Sequence, residues 1–140
     1  MENLKTIPPA VAALIPAAQL QFTKEHLQAF SDTIKQLEAL LEKCPKIGET
    51  DGMKEHPLIL HYFTGCTDFY ICEYDQHDLM FGYSILNGDL ENSEWGYISL
   101  SEITAIPKLN LNYLLDERSI EAALYSAYPD NFEKPQSITN

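Results

Sequence analysis

His56, His61, Cys66, Cys72 and His77 fall in one short stretch, and all are residue types that bind zinc or move protons. Their spacing argues against a metal. Sites in small domains use paired ligands on one knuckle or one helix face, whereas these residues sit singly on separate strands and turns. In strict alternation His61 shares a face with Ile59 and Phe63, and Cys72 shares one with Tyr70 and Tyr74, so convergence needs a particular register. Cys66, beside Gly65 at a turn, is the one thiol outside an apolar run. A cysteine nucleophile needs a nearby base and a depressed pKa, and the carboxylates around Cys66 act the other way. From Leu60 to Ile103 there is no Lys or Arg to counter them or to clamp an anion.

Carboxylates are the more abundant resource. Glu73 and Asp75 flank Tyr74, Asp78 lies at the next turn, and Glu91 and Glu94 precede Trp95. Two such groups serve as acid and base when burial separates their pKa values. Solvation at turns and strand edges explains them more simply. A calcium loop requires denser Asp/Asn with Gly at its bend, a pattern Asp75-Gln76-His77-Asp78 does not meet. The accompanying rings, among them Tyr62, Phe63, Phe69, Tyr70, Phe81, Tyr83, Trp95 and Tyr97, suit a stacking platform or the centre of a binding surface. Nucleic-acid platforms join stacking to positive charge, which is missing here. The surface singled out as a site is therefore Glu73, Asp75, Asp78, Glu94, Trp95 and Tyr97, with no catalytic residue, metal or cofactor assigned.

The elements that must position these residues are readable from periodicity. Thr6, Pro8 and Pro9 open a short helix over Ala10 to Ile15 that Pro16 ends or kinks. Leu27, Phe30, Ile34, Leu37, Leu41 and Cys44 recur at helical spacing, with Thr23 as the expected N-cap and Phe22 stapled onto Leu27. That stripe either packs on the sheet, the favoured reading, or forms a homodimer seam. From Leu58 the period shortens to that of strands: Leu58 to Phe63, Phe69 to Tyr74, Leu79 to Leu86 and Trp95 to Leu100, parted by turn formers such as Asn87-Gly88. Ser99 with Glu102 caps a short helical turn over Ile103 to Ile106, and Ser119 caps a last helix that Pro129 stops.

The expectation is an α+β fold: a four-stranded antiparallel meander packed by an N-terminal and a C-terminal helix. It forms one domain over residues 1–130, with a helical extension at 1–36, the meander at 58–100, the last helix at 119–128 and a flexible tail at 131–140. At 140 residues, 45% of them hydrophobic, the chain is large enough for one core. Its prolines break the only N-terminal apolar stretch, so neither a signal peptide nor a membrane span is expected. Three cysteines without CxxC spacing fit reduced thiols in a cytoplasm. The net charge of −12 is concentrated after Lys54, where Lys108, Arg118 and Lys134 face fourteen carboxylates. Such a field opposes direct binding to nucleic acid or an anionic membrane and leaves a basic protein as the expected partner.

Between about residues 37 and 124 the chain resembles a bacterial domain-of-unknown-function family, numbered 2958, common on plasmids and conjugative elements. Carrying the resemblance are Leu60-His-Tyr-Phe-Thr-Gly, Phe69-Tyr-Ile-Cys-Glu-Tyr-Asp75, Met80-Phe-Gly-Tyr83 and Glu94-Trp-Gly-Tyr-Ile-Ser-Leu-Ser-Glu-Ile103. The family shows an aromatic strand, Thr-Glu-aromatic-Asp, Phe-Phe-Gly, and Glu-Leu-Gly-Tyr-aromatic-Ser-Leu-x-Glu in the same order. This chain departs with Cys72 for Thr, Trp95 for Leu, and an added N-terminal helical segment. The resemblance implies a small cytoplasmic α+β accessory of a mobile element and brings no activity or catalytic residue with it. Three functions are weighed on this basis: a non-enzymatic protein-binding domain, monomeric or weakly dimeric; a DNA-mimicking anti-restriction or anti-defence inhibitor; and a small enzyme or ligand-binding domain using Glu73, Asp75 and Glu94 around Tyr97.

Overall fold

Short runs rich in apolar and aromatic residues after Leu58 build four strands, and a two-residue fifth follows, in the computed structural model, which describes residues 6–138. The charge-compensated N-terminal residues 1–5 and the tail's last two residues lie outside that range. The helices α1 (Pro9–Ala12), α2 (Ala17–Glu25) and α3 (Ser31–Lys43) come first. Strands β1 (Leu60–Thr64), β2 (Thr67–Tyr74), β3 (Leu79–Ile85) and β4 (Glu94–Ser99) follow, then α4 (Leu100–Thr104), β5 (Asn110–Leu111) and α5 (Ile120–Ala127). The sheet is open and antiparallel in the order β4-β3-β2-β1-β5. The four-stranded expectation is corrected by β5, which pairs Leu111 with Tyr62 and Asn110 with Phe63. A strand of two residues is too short to show a period.

The turns follow backbone preference. Gly65 at φ +54° opens the two-residue β1/β2 hairpin, and Asn87 and Gly88, both at positive φ, bend the chain after β3.

Each sheet face carries its own core. Leu60, Tyr62, Phe69, Ile71, Met80 and Ile98 join Val11 and Leu14 after the first prolines and Ile34 and Leu37 of α3. On the opposite face Tyr70, Cys72, Tyr83 and Ile85 pack with Ile120, Ala123 and Leu124 of α5. Each fully buried Leu or Ile contributes roughly 1.5–3 kcal/mol, and α3 supplies two of them, Ile34 and Leu37. The α3 stripe is thus internal: Ile34 and Leu37 are sealed in the core, and Leu41 packs against it.

Two local expectations are corrected. Thr23 lies inside α2 rather than capping a helix. Its hydroxyl donates to the Gln19 carbonyl at 2.7 Å and meets the Tyr113 hydroxyl at 2.8 Å, while α3 begins only at Ser31. Phe22 is exposed and stacks on His26 instead of stapling Leu27. Strict alternation in β2 fails as well. A register shift between Ile71 and Glu73 puts Tyr74 opposite Met80 in the first core, away from Cys72 and Tyr70.

Capping is as the serines indicate. The Ser99 hydroxyl accepts from Glu102 N at the start of α4, and that of Ser119 accepts from Ala122 N at 3.0 Å at the start of α5. The first of these helices starts earlier than expected, at Leu100. Beyond α5, Phe132 packs on Tyr83 and Tyr128, and Ser137 donates to Glu55.

Candidate functional site

The six residues singled out from sequence separate into two groups. Glu73, Asp75 and Asp78 end β2 and form its turn to β3, and each carboxylate is met by donors of the chain itself. Glu73 is 1% exposed. Its Oε1 accepts from Gly48 N at 2.7 Å, and its Oε2 from Thr50 N at 2.9 Å and from the Thr50 hydroxyl. Burial pushes this carboxyl up, but the Thr50 hydroxyl, the two amides and nearby His56 together hold it below its ordinary value. Asp75 Oδ1 collects the N–H groups of His77, Asp78 and Leu79 at 2.8–3.0 Å. Partial desolvation raises its pKa, and those three amides bring it below normal. Asp78 accepts from the Ser99 hydroxyl at 2.6 Å and from Ser101 N at 2.7 Å, and these two contacts lower its pKa. It thereby ties the β2/β3 turn to the β4/α4 junction.

Glu94, Trp95 and Tyr97 lie on β4, the outermost strand. Glu94 is exposed. Trp95 and Tyr97 share the α5 face of the sheet, where Tyr97 is 67% exposed with its ring edge-on to Phe81 at 5.4 Å. Trp95 is half-buried between Tyr83, at 5.3 Å, and His56, at 4.5 Å. Leu79 and Phe81 on β3 continue this aromatic strip, and Leu79 is itself exposed.

Sequence reading missed two histidine–carboxylate pairs. His56 Nδ1 lies 2.7 Å from Glu121 Oε2, and the same residue's N–H donates to Oε1 at 2.7 Å. His61 Nε2 lies 2.7 Å from Asp68 Oδ1 with its ring stacked on Tyr70 at 4.4 Å. Glu121 is remote in sequence, so no local pattern announces the first pair. For the second, the seven-residue separation across a hairpin centred on Gly65 was the available signal. Cys72 is fully buried, donates to the Phe81 carbonyl at 3.4 Å, and has its pKa pushed up to about 11, chiefly by desolvation. It is a packing thiol with little thiolate character. Among the described residues no three His, Cys, Asp or Glu side chains gather as a metal site requires.

Two adjoining hollows, of about 620 and 640 Å³, flank the segment 112–118 between α3 and the entry to β1. None of the six singled-out residues lines them. Arg118, which borders both, pairs with Asp116 at 2.7 Å. No helix of the described residues is long and apolar enough to cross a membrane.

Fold and site together define an acidic α+β protein whose open antiparallel sheet ends in an aromatic edge strand. Compared with protein-family models, curated proteins and solved structures, the chain gives no match.

Proposed function

We propose that this chain is a non-enzymatic binding domain that engages a basic protein through the β4 strip of Trp95, Tyr97 and Glu94, continued by Phe81 and Leu79 on β3. The observation that carries the reading is Tyr97, a large ring two-thirds exposed on an edge strand, within a stretch of forty-four residues that lacks Lys and Arg. An exposed tyrosine offers contact area at low entropic cost and a face for Lys or Arg. Carboxylates around it speed the encounter with a cationic partner and repel polyanions. A carboxylate enzyme is the weaker reading, because Glu73 and Asp78 accept from amides and hydroxyls through both oxygens and Asp75 holds three amides on Oδ1. The cytoplasm of a bacterium carrying a mobile element is the setting we assign, on the resemblance of the β2, β3 and β4 segments to that plasmid-associated family.

The test is capture from a host lysate with the wild-type chain, Tyr97→Ala, and Phe22→Ala as an exposed aromatic control on the distant α2. Basic proteins should be retained at low salt by wild type and Phe22→Ala, released at high salt, and lost with Tyr97→Ala. Equal retention by all three, or retention of nucleic acid in their place, defeats the proposal.

A further inference from the structure

The two edges of the sheet are finished differently. At β5 the Gln19 amide lies against the strand: Nε2 donates to the Leu111 carbonyl and Oε1 accepts from the Leu111 N–H, both at 2.8 Å. That edge is closed from within the chain. At β4 the strand order ends with no neighbour beyond it among the described residues.

Which groups β4 presents follows from its register. Leu100 N donates to the Asp78 carbonyl at 2.9 Å, and β3 and β4 pair without a shift from Leu79 with Ser99 to Ser84 with Glu94. Bonded and non-bonded pairs alternate along an antiparallel ladder. Ile98, Gly96 and Glu94 therefore turn their N–H and C=O toward β3, and Trp95 and Tyr97 turn theirs outward. Natural sheets blunt such an edge with a lysine, a proline or a bulge. The six residues of β4 contain no lysine or proline, and their pairing with β3 contains no bulge.

We infer that the outer edge of β4 receives an extended basic segment of a partner protein as an added strand. This rests on the binding function proposed above and specifies its mode. The backbone groups of Trp95 and Tyr97 supply hydrogen bonds that any sequence satisfies. Specificity comes from the two faces. On the α5 face an Arg or Lys beside Tyr97 lies against its exposed ring. On the other face no atom lies within 4 Å of where a Gly96 side chain would begin, which leaves room for a large residue of the incoming strand. Exposed Glu91, Glu94 and Glu102 precede, begin and follow the strand, so the edge favours cations along its length. The same charges argue against a second copy as occupant, since a second copy brings its own Glu91, Glu94 and Glu102 to the edge on a chain that also carries −12.

The experiment uses the full chain, isotopically labelled, with a synthetic peptide alternating Arg and Val. A second peptide carries N-methyl groups on the alternate amides that face β4, a third on the complementary set, and a fourth has Glu for Arg. Strand addition predicts slowed hydrogen exchange at the Trp95 and Tyr97 amides on binding of the first peptide. It also predicts a loss of about tenfold or more in affinity for one methylated set and not the other, weaker binding by Tyr97→Ala, and no binding of the Glu peptide. Equal affinity for both methylated peptides with unprotected Trp95 and Tyr97 amides overturns strand addition while leaving the basic-partner surface in place. Failure of the Arg peptide to bind at low salt overturns both. Slowed exchange at these amides in the absence of peptide, rising with protein concentration, assigns the edge to self-pairing and overturns the inference.

Discussion

Glu73 shows how a residue that reads as a surface acid becomes part of the frame. The shift in β2 turns its side chain toward the loop at 48–50, where Gly48 and Thr50 surround it with donors. Replacing it by Gln removes the charge and sets an NH₂ against those amides, which should destabilise the fold by roughly 1–3 kcal/mol in urea titrations. Because the folded-state pKa of Glu73 is lowered, its contribution is complete above the unfolded value, near 4.3, and fades as pH falls through the folded value. Asp75 and Asp78 shift in the same direction. Wild type should therefore lose stability on acidification below about pH 4.5, and Glu73→Gln should lose less over that window; parallel curves for the two would remove Glu73 from the account. Gly82 is a second framing residue, opposite Ile71 just before the shift. A Cβ there would stand 1.9 Å from the Tyr70 carbonyl oxygen, a backbone atom with little freedom to move. Gly82→Ala should cost more than about 2 kcal/mol through overpacking, whereas Gly96→Ala, facing open space, should leave the melting temperature nearly unchanged.

At the scale of elements, what the sequence revealed depended on how local the determining physics is. The long strands were legible because apolar alternation and Gly turns act over a few residues, and the serine caps at Ser99 and Ser119 because a cap bonds within one helical turn. Helix α2 was misread since Thr23 resembles a cap until Tyr113, ninety residues away, is seen to meet its hydroxyl. Strand β5 was invisible for a similar reason. It exists because Tyr62 and Phe63 lie beside it on one flank and Gln19 on the other. Of the candidate site, the aromatic half on β4 was legible from residue type, while the internal bonding of Glu73, Asp75 and Asp78 required the register shift and the turn geometry. Gln19→Ala should expose both backbone groups of Leu111 on that edge. The expected result is a loss of about 1–2 kcal/mol with faster exchange of the Leu111 amide, and an unchanged Leu111 exchange rate would show that the edge is closed by something else.

For the whole molecule, one charge distribution should act on stability and on the proposed recognition with opposite signs of salt dependence. The −12 net charge repels itself within the compact state, and the Glu73, Asp75 and Asp78 carboxylates draw on amides and hydroxyls without a Lys or Arg. Screening weakens that repulsion more than it weakens the short hydrogen bonds beneath it, because the Debye length falls from about 30 Å at 0.01 M salt to about 8 Å at 0.15 M. The melting temperature of the chain alone should rise over that interval. Association with a cationic partner should weaken over the same interval, since the screened field is the one that attracts it. Measuring both in one salt series separates the electrostatic account from simple ion binding, which would move melting and association together. A melting temperature that falls with added salt would mean that attractive pairs such as Arg118 with Asp116 dominate over the excess of carboxylates, and the acidic flank would lose its claim to select a basic partner.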